Sequence, residues 1–132
     1  MNDRFAHARG WFKKADSDLT AARRVLETGG PFDTACFHSQ QAVEKLLKGF
    51  LAWRDEPFPH THNLEELLAL CLVREPSLGL EQEELAALTP YAIQVRYDFE
   101  FWPGHDTARE AFEVAEGVRE TILALVPPEA RP

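Results

Sequence analysis

Between Asp33 and Trp53 four polar side chains recur at helical spacing: His38, Gln41, Lys45 and Lys48 stand three, four and three residues apart. On a helix that rhythm lines them along one ridge. Two ammonium groups and an amide on a ridge suit an oxyanion, the lysines meeting a phosphate and Gln41 hydrogen-bonding a base or a sugar. Arg96, on a later helix, adds a guanidinium that can donate two parallel N–H bonds. Tyr97 beside it offers a ring. Gln41, Lys45, Lys48, Arg96 and Tyr97 are therefore the residues expected around a ligand or partner. A plainer reading competes. Glu44 precedes Lys48 by four residues, the spacing of a surface ion pair that contributes a few tenths of a kcal/mol. Tyr91 and Tyr97, at helical positions, serve more often as core or interface anchors than as platforms for a base.

Other chemistries find little support. The chain offers no carboxylate pair, nucleophile triad or glycine-rich phosphate loop, so no catalytic residue is assigned. His60, His62 and Cys71 are too few and too irregularly spaced for zinc, so neither a metal nor a cofactor is expected. Cys36 and Cys71 both fall inside apolar helical patterns and read as buried thiols of a reducing cytoplasm. No run approaches about 18 apolar residues, and Met1-Asn2-Asp3-Arg4 carries no hydrophobic signal, so a cytoplasmic protein without membrane contact is expected.

Charge narrows the partners. At net −8 and a pI near 5.1 the chain is a poor general binder of nucleic-acid phosphates, and DNA is not an expected partner. The average hides an asymmetry: residues 1–54 hold nine Lys and Arg against six Asp and Glu, a net of +3, leaving −11 for residues 55–132. The basic half would suit an acidic partner or ligand; helix solubility alone would explain it equally simply.

The elements that must position these residues follow from periodicity. Phe5, Ala8, Phe12, Ala15, Leu19, Ala22 and Leu26 alternate spacings of three and four, which predicts a first helix over 2–28, capped by Asn2 or Asp3. Gly29-Gly30-Pro31 stops it, and Asp33 or Thr34 can cap the central helix. In that helix Ala35, Ala42, Leu46 and Trp53 form one apolar line and Cys36, Val43, Leu47 and Phe50 the next, a stripe wide enough for several neighbours. Residues 54–62, with Pro57 and Pro59, read as an extended loop. Asn63 with Glu66 caps a short third helix carrying Leu64, Leu67, Leu68, Cys71 and Leu72. A fourth runs from about Glu81 towards Trp102, with a kink or fresh start at Thr89-Pro90. Phe99, Phe101 and Trp102 near its end suit either an apolar patch for a second subunit or burial within the domain. Thr107 with Glu110 suggests a capping box for the last helix, whose seam is Ala108, Ala111, Ala115, Val118, Ile122 and Leu125. No strand pattern occurs. The whole, 1–132, reads as one all-α domain, a five-helix up-and-down bundle.

His38-Ser39-Gln40-Gln41-Ala42-Val43-Glu44-Lys45-Leu46-Leu47-Lys48 resembles the central-helix signature of the HEPN family, the higher-eukaryote and prokaryote nucleotide-binding domains. Asp18-Leu19-Thr20-Ala21-Ala22 in the first helix, His62-Asn63-Leu64 opening the third, and Tyr91 with Arg96-Tyr97 in the fourth agree with it in order. The resemblance spans essentially the whole chain. It implies a helical bundle that commonly forms a homodimer, and a small prokaryotic protein often encoded beside a minimal nucleotidyltransferase, in modules that can act as toxin–antitoxin pairs. Some members of the wider superfamily are metal-independent RNA endonucleases with an Arg, four to six residues, then a His. Here eight residues, including Pro103 and Gly104, separate Arg96 from His105. Arg54 and His60 have the right separation but lie in the proline loop. A nucleotide-binding or nucleotidyltransferase-partner module is thus the leading expectation and the endonuclease, with RNA as substrate, the alternative. The branch that this chain resembles often carries Pro after Arg-Tyr; Asp98 replaces it, which would let the helix continue.

Overall fold

The computed structural model describes residues 3–132. Its elements, in order, are α1 (Asp3–Glu27), α2 (Phe32–Trp53), α3 (Leu64–Arg74), α4 (Gln82–Leu88), α5 (Tyr91–Tyr97) and α6 (His105–Leu125), with a short 3-10 turn at Pro128–Ala130. No strand occurs among the described residues. The five helices expected are present, the fourth as two short pieces.

Helix α2 is the hub. It packs along α1 and α6 and also meets α3, α4 and α5, so 14 of its 22 residues are buried. The stripe of Ala35, Cys36, Ala42, Val43, Leu46, Leu47 and Phe50 is buried throughout, and Trp53 is packed against the core at the helix end. The α1 seam faces it: Ala8, Phe12, Ala15, Leu19 and Ala22 are buried, with Phe5 and Leu26 at the margins. At one point the two helices come very close. A Cβ placed on Gly49 would stand 2.5 Å from the Phe12 ring, so the fully buried ring occupies the space that any larger residue would need.

The α1 stop and the α3 cap are as expected, whereas the starts of α2 and α6 are not. Gly29 and Gly30 take φ values of 85° and 117°, and the Gly30 N–H bonds to the Val25 carbonyl at 2.9 Å, closing α1 as a left-handed glycine cap does. Asn2, one of the two candidate caps, lies outside the described residues. Helix α2 begins at Phe32 after an extended Pro31 without a side-chain cap, and Asp33 accepts instead from the Thr34 N–H at 2.9 Å. Asn63 does cap α3, accepting from the Glu66 N–H at 2.8 Å. Helix α6 starts at His105, two residues before the expected box at Thr107. Gly104, extended at ψ 178°, takes the cap position, and its carbonyl accepts from Ala108 N–H at 3.2 Å.

The largest correction concerns the fourth helix. It breaks at Thr89-Pro90, as the proline demands, but it also ends at Tyr97 and does not reach Trp102. Asp98 ends it. Its carboxylate accepts from the Glu100 N–H at 3.1 Å and its carbonyl from the Phe101 N–H at 3.1 Å, a turn that replaces the helical bonds. Phe99 (85% exposed) and Trp102 (73%) therefore lie outside the core, whereas Phe101 turns back to stack on Tyr91 at 5.5 Å. Leu125, expected in the last seam, is 43% exposed at the end of α6.

Candidate functional site

Two buried carboxylates organise the ridge of α2. Asp18, contributed by α1, is 7% exposed. One of its oxygens lies 2.7 Å from His38 Nδ1, and the other accepts from Lys45 Nζ at 2.6 Å. Glu44, 4% exposed, accepts from Lys48 Nζ at 3.0 Å and lies 2.8 Å from His62 Nδ1. Each carboxylate thus joins one histidine to one lysine. Helix spacing explains this: His38 and Lys45 are two turns apart on α2 and bracket Asp18 of the neighbouring helix, while Glu44 and Lys48 are one turn apart.

Glutamines tie the Glu44 cluster to the proline loop and to Gln41 on the ridge. Gln40, fully buried, donates to Glu44 Oε1 at 3.3 Å and to the His62 carbonyl at 3.1 Å, and it accepts from Gln41 Nε2 at 2.7 Å. The Lys48 ammonium lies 5.5 Å from the centre of the Trp11 ring, which itself meets Phe58 of the loop edge-on. The Glu44–Lys48 pair is consequently an interior one, not the surface pair that its spacing alone suggests. At the surface such pairs contribute little; buried and hydrogen-bonded, this one is far more costly to disrupt.

Arg96 reaches the same ridge from α5. Its Nε donates to the Ala92 carbonyl at 2.8 Å, which holds the guanidinium 5.7 Å from the centre of the Phe37 ring and 5.4 Å from that of Tyr97. Phe37 is edge-on to His38 at 5.5 Å. Among the described residues no carboxylate lies within ion-pair distance of Arg96. Tyr97 is 69% exposed.

The structure accordingly brings Arg96 and Tyr97 to the Phe37–His38 end of the ridge that carries Gln41 and Lys45. Lys48 lies farther along, enclosed by Glu44 and Trp11. The sequence assigns no role to Asp18 or Gln40 and makes Glu44 only a surface partner of Lys48, although all three lie in the motifs quoted above. A carboxylate flanking an apolar seam, as Asp18 does immediately before Leu19, is the sequence signal that points to it. Of the pair with endonuclease-like separation, Arg54 packs over Phe50 and Trp53 and faces Glu75 at 3.9 Å. His105 opens α6 with its ring edge-on to Phe32.

The thiols are removed from this surface. Burial pushes both Cys36 and Cys71 up to about 12, with Asp33 adding to the effect at Cys36. Burial also raises the Tyr91 hydroxyl, helped by Cys36 and Glu110. Among the described residues no group of three or more His, Cys, Asp or Glu side chains is placed to hold a metal. No helix among them is long and apolar enough to cross a membrane.

An all-helical bundle centred on one enclosed helix, with a polar ridge of this composition, matches a known class: the chain belongs to the HEPN domain family, whose model matches residues 8–125. Two solved structures share the fold. TT1696 from Thermus thermophilus is 26% identical and aligns over 96% of this chain and 100% of its own, with a TM-score of 0.75. ST0689, an archaeal HEPN homologue, is 24% identical over 89% of this chain and 95% of its own, with a TM-score of 0.66. Comparison with curated proteins gives no match.

Proposed function

We propose that this protein is a HEPN-type binding module that holds a nucleotide, serves as the partner of a minimal nucleotidyltransferase in a toxin–antitoxin-like pair, or does both in the cytoplasm of a prokaryote. The observation that carries this reading is Arg96: a guanidinium held between two aromatic rings, without a carboxylate partner among the described residues, beside a ridge of amide and ammonium donors. Such a group has N–H donors left for an oxyanion. In this reading Arg96 and Lys45 meet the phosphates, Gln41 bonds to the sugar or base, and the exposed Tyr97 ring stacks on the base. Lys48 supports the site from beneath by neutralising Glu44. A homodimer through the exposed Ile93, Phe99 and Trp102 would bring two such ridges together. The endonuclease alternative is less well supported, because Arg96 and His105 belong to different helices and the Pro103-Gly104 turn intervenes.

The test is thermal unfolding of the tagless protein with and without millimolar ATP, GTP, UTP or CTP, repeated on Lys45→Ala and Arg96→Ala, each compared with its own ligand-free baseline. A ligand at about a hundred times its Kd stabilises the fold by about 2.7 kcal/mol, a clear rise in Tm. The rise is expected in the wild type and lost in both variants. No shift with any nucleotide would sink nucleotide binding and leave the ridge as a protein-facing surface.

A further inference from the structure

We infer that a second recognition surface, separate from the α2–α5 ridge, docks a basic amphipathic helix of a partner protein. Between α4 and α6, below the turn at Gly79, runs an open groove of about 490 Å³. Leu80 and Val114 supply part-exposed apolar surface at its floor, with Leu85 and Val118 buried beneath them. Its walls are acidic, with Glu81 and Glu84 on one side and Glu110 and Glu113 on the other, and the lining contains no lysine or arginine. Arg109 approaches this rim from outside, 3.6 Å from Glu113 across an exposed helical turn.

Two features commit the groove to one occupant. The first is charge. The lining carries four glutamates and no lysine or arginine, so a cationic segment is attracted to the groove and an anionic one repelled. The second is shape. Two helices lying side by side leave a channel that a third fills with side chains spaced three and four residues apart, and Gly117 keeps this channel open, since nothing lies within 4 Å of a Cβ built there. Apolar anchors would meet Leu80 and Val114 while flanking arginines pair with the four glutamates. No residue lining the groove belongs to the ridge, so the two surfaces can be occupied at once.

The probe is a fluorescein-labelled peptide of about 15 residues with leucines on one helical face and arginines on its flanks. Its control is a scrambled peptide of identical composition, and binding is read by anisotropy at physiological salt. The amphipathic peptide is expected to bind about tenfold or more tightly than the scramble. Gly117→Leu, which fills the channel without altering charge, and Glu84→Lys with Glu113→Lys, which reverses the rim, are each expected to weaken it at least about tenfold. Circular dichroism checks that both variants remain folded. Equal binding of the scramble, unchanged affinity in Gly117→Leu, or no binding of either peptide overturns the proposal. Nucleotide-induced stabilisation of the same samples reports on the ridge independently, so failure of one surface is distinguishable from failure of the other.

Discussion

Asp18 and Glu44 are held in place by the cations they neutralise, and the arrangement makes them sensitive to single-atom changes. Glu44→Gln keeps the shape but leaves Lys48, 7% exposed, without its counter-charge. Losing one partner of a buried pair costs about 3–5 kcal/mol, whereas replacing both with apolar residues is often nearly neutral. Urea unfolding of Glu44→Gln should show a loss of that order, with much of it recovered in Glu44→Met combined with Lys48→Met. The cysteines supply a second prediction. Both thiols stay neutral in the fold up to about pH 12, against an ordinary 9.0. Above pH 9 the unfolded chain releases those protons and the folded one retains them, so their contribution is complete below pH 9 and is lost as pH rises towards 12. Unfolding midpoints should fall across that window, and more shallowly in a Cys36→Ala, Cys71→Ala double variant. These thiols were legible in the sequence because an apolar helical pattern implies burial. The two carboxylate clusters were not, because each depends on which neighbour a helix face meets, and spacing within one helix is silent on that.

At the scale of elements, the α1–α2 contact rests on Gly49 as much as on the leucines around it. Alanine normally favours a helix over glycine by about 1 kcal/mol. Here its methyl group would press into the Phe12 ring, and overpacking typically costs about 1–3 kcal/mol. Gly49→Ala should therefore lower Tm by several degrees, and adding Phe12→Leu should remove most of the penalty that the methyl group imposes, a coupling that a double-mutant cycle would measure. Helix identity was readable from three-and-four spacing, which reports a buried face directly. Helix ends were less so. Asp98 looked permissive because it lacks the proline ring, yet its carboxylate captures a backbone N–H and turns the chain; Gly104 displaced the Thr107 cap because an extended glycine can begin a helix earlier. Local hydrogen bonds of this kind compete with propensity and leave no periodic trace.

For the whole molecule, the exposed apolar residues Ile93, Phe99 and Trp102 are collected on α5 and the turn that follows it. Sedimentation velocity of the wild type should report a dimer. Phe99→Glu with Trp102→Glu should give a monomer whose own unfolding free energy is nearly unchanged, because exposed side chains away from the core usually alter it by no more than about 0.5 kcal/mol. A wild-type monomer at high micromolar concentration would assign that surface to a different partner. The family, the bundle and the charge asymmetry were all visible in the chain. Which helices enclose the α4–α6 groove was not, since it is a property of packing between segments far apart in the chain.

Helix α2 and helix α5 differ in how firmly they are held, and the ridge is built from both. The first is enclosed on nearly every side; the second has seven residues, of which Ala92 alone is buried. Backbone amides of α2 should exchange with solvent only when the entire molecule opens, whereas those of α5 are free to exchange through local fraying. Gln41 and Lys45 thus form a rigid jaw and Arg96 and Tyr97 a compliant one. A molecule gripped between them would leave α2 amides nearly untouched and slow those of Tyr91–Tyr97 selectively, so that recognition is registered as a quieting of one short helix while the bundle keeps its shape.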